Sequence, residues 1–270
     1  MSDATLLPSV PTAPARPAGR LPASSWIALA WFKFAIRYRR TIIGPAWLLV
    51  APTLFIVALG LLFSEVNGVA KARFIPHLAI GLITWTLISG YSTGSANVFR
   101  RSRAQLLEGG LGLSDIVMVE VVEVALVFAH QIVIIVAVFV LYGLPLTSYA
   151  LVSLLGVALI IINGVWMTQV FGIVGARYLD LSEFMQAAMR IAFLATPIIW
   201  IPGDDGRGHV MAVFLKFNPF YHFLQLVRAP LLGDAISPLS WVVVGTITVA
   251  GLVLARVVRA RYGRFVPLWV

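Results

Sequence analysis

An all-helical protein threaded several times through a membrane is what this sequence predicts, and three observations carry the prediction. Of 270 residues, 60% are hydrophobic and only 11% charged, with a mean hydropathy of +0.95. A soluble domain holds about 45–50% apolar and about 25% charged residues, and a chain this size still has to cover itself with polar surface. The apolar residues also fall into runs of the length, about 20 residues, that crosses a bilayer. Finally, the basic residues gather at the ends of alternate runs. The expected architecture is all-α: six transmembrane helices, an N-terminal interfacial helix, and two short re-entrant helices on the outer side.

Taken in order, residues 1–25 (MSDATLLPSVPTAPARPAGRLPASS) are rich in Pro, Ala and Ser. They lack the apolar core of a signal peptide and read as a disordered cytoplasmic tail, followed by one transmembrane domain over 26–270. Next comes KFAIRYRRTIIGPAWLL, residues 33–49. On a helix, Lys33, Arg37 and Arg40 share one face, while Ile27, Trp31, Phe34 and Tyr38 share another. Such a helix suits the headgroup plane, aromatic side in lipid and basic side toward phosphates. Gly44 lets the chain turn, and Pro45 fits the first turn of a new helix, where its missing N–H costs nothing. The stretch therefore reads as a surface helix, a corner, and a span going in.

The six spans are expected over 42–63, 76–97, 115–141, 149–175, 185–201 and 239–257. The third and fourth are joined by the uncharged turn YGLPLTSYA. Pro197, Pro202 and Gly203 break the end of the fifth. With the N-terminus in the cytoplasm, the inside segments hold 15 of the 20 Lys and Arg residues, among them Arg37, Arg39, Arg40, Arg100, Arg101, Arg103, Arg177, Arg190 and Arg256. That bias places both termini in the cytoplasm, and it accounts for the net charge of +9 without a nucleic-acid partner. Between the last two spans, Asn218-Pro219 splits an apolar segment that Lys216, His222 and Arg228 also interrupt. Neither half can span. Two short helices dipping into the outer leaflet fit, and so does a pair lying flat on it.

The chemistry-bearing motifs are few. There is no Gly-x-x-x-x-Gly-Lys-Ser/Thr phosphate loop, no Gly-x-Ser-x-Gly elbow, no Cys, and no metal-ligand spacing among His77, His130, His209 and His222. Glu120 and Glu123 lie on one face near the inner end of the third span, with His130 deeper in it. They read either as a proton relay or as a polar seam facing neighbouring helices. In the second inside loop, Arg100, Arg101, Arg103, Leu106, Leu107 and Glu108 form a short amphipathic helix stopped by Gly109-Gly110. It is either a cytoplasmic anchor or a docking plug for a soluble partner. Arg177, Asp180 and Glu183 mix their charges in the third inside loop, which suits a polar contact surface or gate.

Several segments resemble a known family. RYRRTIIGPAWLLVAPTLF, GARYLDLSEFMQAAMRIAFLATPIIW, NPFYHFLQLVRAPLLGD and RFVPLWV, with VEVALVFAHQIVIIVAV in the third span, resemble the permease subunits of ATP-binding-cassette exporters of polysaccharide and O-antigen. The resemblance runs from about Trp26 to Val270. It implies an inner-membrane homodimer that passes a lipid-linked glycan, such as O-antigen or capsular polysaccharide, and a separate ATPase subunit that docks on the segment from Arg100 to Glu108. It also implies that ATP and Mg bind in that partner and no cofactor or catalytic residue in this chain, and that the helix from Trp31 to Pro45 acts as an interfacial gate. One departure concerns docking geometry: Gly109, Gly110 and Gly112 stand where relatives carry a proline. Sugars stack on aromatic faces, so Trp47, Phe55, Trp85, Tyr91, Trp200 and Tyr221 are candidate channel aromatics, Trp200 and Tyr221 together forming an outer gate. The same residues also suit the aromatic belt of a membrane protein. Competing functions are an ion-coupled carrier or channel built on Glu120, Glu123 and His130, and a lipid or drug exporter of the same superfamily.

Overall fold

The computed structural model describes residues 22–66, 70–202 and 208–270. Most of the expected tail lies outside them. The first helix, α1 (Ala23–Tyr38), begins three residues before the expected domain boundary at 26. It is followed by α2 (Trp47–Val66), α3 (Lys71–Ser95), the short α4 (Val98–Arg101) and α5 (Arg103–Leu107), then α6 (Leu113–Tyr142), α7 (Val152–Arg177), α8 (Leu181–Ala195), α9 (Gly208–Phe217), α10 (Pro219–Leu232), α11 (Pro238–Tyr262) and the short α12 (Val266–Trp269). Among the described residues there is no strand.

Among the described residues, five helical segments are long and apolar enough to cross a membrane: Gly44–Phe63, Lys71–Ser95, Leu113–Tyr142, Ser148–Arg177 and Pro238–Trp269. The expected fifth span over 185–201 is different. Its helix, α8, has 15 residues, about 22 Å at 1.5 Å per residue, against a hydrocarbon core of about 30 Å. It stops at Ala195 because Thr196 turns extended, with ψ 138°, the conformation that the following Pro197 favours.

Helix α3 is the axis. In its most apolar stretch 83% of residues are buried, and it packs against α2, α6, α7, α8 and α10. Close approach to α7 is set by glycine. A Cβ on Gly175 would stand 2.0 Å from the Ala96 carbonyl oxygen, and one on Gly164 would stand 2.8 Å from the Tyr91 ring. Small residues of this kind let helix backbones meet without a hydrophobic drive between helices in lipid.

The corner after α1 forms as the sequence suggests. Gly44 adopts φ 57°, a left-handed conformation open to glycine, and Pro45 sits in the 3-10 turn that leads into α2. Asn218 makes the break between α9 and α10. Its Oδ1 accepts from the N–H groups of Phe220 (3.0 Å) and Tyr221 (3.3 Å), while its Nδ2 donates to Ala195 O (3.2 Å) and Thr196 Oγ1 (3.1 Å). One side chain thus caps the start of α10 and ties it to the end of α8. Helix α10 then inserts among α3, α7 and α11, burying His222, Leu224, Leu226 and Arg228.

The two ends of the bundle differ. The start of α6 and the ends of α3, α7 and α11 meet at one end, where α1, α4 and α5 add Arg37, Arg39, Arg40, Arg100, Arg101 and Arg103. We call this the basic end. At the opposite end Arg228, 3% exposed, donates to Pro197 O (2.6 Å) and to His77 Nε2 (3.0 Å).

Candidate functional site

Helix α3 is buried along almost its whole length, yet one stripe stays open: Thr86, Ser89, Gly90, Thr93, Gly94, Asn97 and, just past it, Arg100. The spacing follows one helical face. Two clefts run along this stripe and share Thr93. The first, about 680 Å³, lies between α2, α3 and α8 and is lined by Pro52, Phe55, Trp85, Thr86, Ser89, Gln186 and Arg190 among others. The second, about 640 Å³, continues it at the basic end and is lined by Asn97, Arg100, Arg101, Asp180, Ser182 and Glu183 among others. Together they make one groove, polar along its floor and open on its side.

Aromatic rings crowd the upper groove. Phe193 of α8 stands 6.4 Å from Phe55 and 5.8 Å from Trp85, and Trp85 meets Phe220 of α10 edge-on at 5.4 Å. The floor below is held by a bridge: the Thr86 hydroxyl donates to Gln131 Oε1 (2.6 Å), and Gln131 Nε2 reaches Leu48 O (3.4 Å), linking α3, α6 and α2.

At the basic end, three carboxylates at the start of α6 collect the neighbouring elements. Asp115, 2% exposed, accepts the indole N–H of Trp26 (2.9 Å) and the backbone N–H of Gly112 (3.0 Å). Glu120 accepts from Arg101 (2.7 Å), which also donates to Gly94 O (3.0 Å). Glu123 pairs with Arg37. On the basic face of α1, Arg37 thus reaches a carboxylate of α6 while Arg40, just past the helix, stays exposed. Of its aromatic face, Phe34 is buried against His130 (4.7 Å) while Ile27 and Trp31 stay exposed.

Several residues singled out in the sequence find other surroundings. Tyr91 is 1% exposed, and its hydroxyl donates to Val121 O (3.1 Å). It is a core residue, so its assignment as a channel aromatic is corrected. The reason is the glycine opposite, Gly164, which admits the ring between α3 and α7. Trp200 and Tyr221 make no ring contact with each other. The Trp200 indole folds back to Leu194 O (3.3 Å) and the Tyr221 hydroxyl accepts from Gln225 (2.7 Å). Trp47 is half exposed and outside the groove. Glu120, Glu123 and His130 form no hydrogen-bonded chain: each acid is held by an arginine, and His130 Nδ1 donates to its own helix at Leu126 O (2.7 Å).

The amphipathic loop forms as α4 and α5, with Gly109 at φ 71° ending it. Arg103, Leu107 and Glu108 are exposed and Leu106 half-buried, whereas Arg100 turns in to Asn97 and Arg101 to Glu120. Arg177 parts from Asp180 and Glu183: the two acids line the lower groove, while Arg177 points away toward Trp269. Sequence reading missed Phe193 and Phe220 and treated Arg190 as an orientation charge. The hydroxyl stripe was visible as Thr86, Ser89 and Thr93 at i, i+3 and i+7.

A bundle of helices long and apolar enough to cross a membrane, with a groove open on one side and a charged collar at one end, has the form of a multi-pass membrane protein. The model of the ABC-2 type transporter family matches residues 24–232, from the start of α1 to the end of α10, and the chain belongs to that family. It is a multi-pass membrane permease of an ATP-binding-cassette exporter, a class that pairs with an ATP-binding subunit. No curated protein matches the chain.

Proposed function

We propose that this chain is half of the passage for a polysaccharide, carried as a lipid-linked glycan across the inner membrane by a homodimer and driven by ATP bound with Mg in a separate subunit. The observation that carries the reading is the open groove. Its floor is hydroxyl, amide and guanidinium, and rings stand at its upper end. Hydroxyls exchange hydrogen bonds with a hydrated glycan, and aromatic faces stack on sugar rings. A groove open on its side needs a second wall, which a copy facing it through α2 and α8 supplies. In this reading the basic end faces the cytoplasm, α8 and its irregular extension complete a sixth crossing, and α9 and α10 are re-entrant from the outer side. Arg103, Leu107 and Glu108 are what α4 and α5 offer the ATPase. The ion-coupled alternative loses support, because Glu120 and Glu123 are each engaged by an arginine.

The test uses the absence of cysteine. Ser89→Cys and Thr93→Cys should react with a polar thiol reagent in membranes, and an excess of the glycan should slow them. Thr84→Cys, fully buried, should stay unlabelled. Phe193→Ala should lower ATP-dependent glycan export about fivefold, from loss of about 1 kcal/mol of stacking, with ATP hydrolysis retained. Export of a lipid or drug by the purified complex with no glycan movement would sink the polysaccharide reading.

A further inference from the structure

A third cavity lies outside the groove, with half of its lining residues beyond the stretch that the family model matches. It occupies about 600 Å³ between the end of α7 and the α11–α12 corner, lined by Ile173, Val174, Arg177, Tyr178, Val258, Tyr262, Phe265 and Trp269. Arg177 lines it, and two further arginines stack on rings of its wall. The Arg177 guanidinium lies between the rings of Tyr178 (5.5 Å) and Trp269 (5.2 Å), Arg261 over Tyr262 (5.8 Å), and Arg264 over Phe265 (4.7 Å). Stacking fixes the plane of a guanidinium but leaves its N–H edge free to bind an anion. Arg177 spends one N–H on Tyr178 Oη (3.2 Å) and keeps the rest. Arg259 adds charge alongside, donating to Gln169 Oε1 (3.3 Å), and the buried Nε2 of Gln169 has no hydrogen-bond partner. Among the described residues no carboxylate pairs with Arg177, Arg259, Arg261 or Arg264, whereas Arg37 and Arg101 each meet one.

The charge is continued by an apolar track. Leu254, Val257 and Arg261 share one face of α11 at i, i+3 and i+7, and all three are exposed. An anionic edge binder with a hydrocarbon tail fits this surface: the head meets the stacked arginines and the tail lies on Leu254 and Val257. Basic pockets between helices at the cytoplasmic side are the places where acidic lipid heads bind. We propose that this cavity is a binding site for an anionic membrane phospholipid, its phosphodiester held by Arg177, Arg261 and Arg264. A docking ATPase would want the charge but has no use for the lipid-facing track.

The proposal does not depend on what the chain exports. It is tested on the purified full-length chain by native mass spectrometry, titrating phosphatidylglycerol against phosphatidylcholine. Phosphatidylglycerol should be retained at least fivefold better. Arg177→Gln with Arg264→Gln should lower its retention by about fivefold per arginine, whereas Arg39→Gln, in the other basic cluster, should leave it within twofold. Equal retention of the two lipids by the unaltered chain overturns the proposal, whether or not the variants fold. An equal loss from Arg39→Gln overturns it too, since a general basic surface would then suffice.

Discussion

The two ends of the bundle satisfy arginine in opposite ways. At the basic end, Arg37 and Arg101 are each 51% exposed and reach carboxylates on another helix. At the far end Arg228 is 3% exposed, and the partners of its guanidinium are a backbone carbonyl at the break after α8 and a ring nitrogen of His77. Each pair at the basic end sets a half-exposed arginine against a nearly buried carboxylate, so opening one leaves the arginine in solvent but strands the acid. A buried guanidinium that holds a carbonyl in place is a fixed joint. The contrast predicts that the basic end loosens from its arginine side more readily than the joint where α3, α8 and α10 meet.

The largest effect should come from breaking the fixed joint. Arg228→Ala removes the donor to Pro197 O and leaves a space where the side chain lay. Orphaning a buried acceptor costs about 1–3 kcal/mol, and an unfilled cavity adds to it. We expect a loss of about 3 kcal/mol in chemical denaturation of the detergent-solubilised chain. A loss under about 1 kcal/mol would show that the far end is as loose as the basic end, and the contrast would fail.

This contrast was only half legible in the sequence. Spans and corners could be read because their causes are local: twenty apolar residues, a glycine where φ turns positive, an Asn-Pro pair that caps one helix and ends another. Arginine at the basic end was readable for the same reason, since a run of charge marks an interface whatever packs on it. Which arginine meets which acid was not, because Arg37 and Glu123 are 86 residues apart. Tyr91 and Phe193 make the same point. Both are aromatics on apolar helices, and only the neighbouring helix decides that one fills the core while the other faces the groove. The shortness of α8 was hidden by composition, since Thr196–Ile201 remains apolar after the helix has ended.

A second prediction sharpens the basic end by separating its inward arginines from its outward one. Reversing Arg100, Arg101 and Arg103 together would confound docking with the loss of the Asn97 and Glu120 contacts. Arg103→Glu touches only the exposed side. It should weaken assembly with the ATP-binding subunit about tenfold, roughly 1.4 kcal/mol, read by co-purification, with the denaturation midpoint unchanged. Arg100→Gln should do less to assembly than Arg103→Glu. The reverse order would mean that the Arg100 face, and with it the lower groove, is what the partner covers.

The smallest expected effect is the most informative about direction. Arg37 is half exposed while the side chain of Glu123 is 8% exposed, so the two halves of this pair are not equivalent. Glu123→Gln releases an arginine into water or headgroups, where it is well solvated, and should cost less than about 1 kcal/mol. Arg37→Ala strands a buried carboxylate and should cost more, although it alters the more exposed residue. The double exchange Arg37→Glu with Glu123→Arg should recover part of the loss, limited by burial of the longer side chain. If the pair serves only to hold α1 down, ATP-dependent export should follow stability through this series. A link that opens during the cycle gives another pattern: Glu123→Gln, nearly neutral in denaturation, should still uncouple ATP hydrolysis from export in reconstituted vesicles. Equal costs for Glu123→Gln and Arg37→Ala, with coupling intact in both, would make the basic end as passive as the far one.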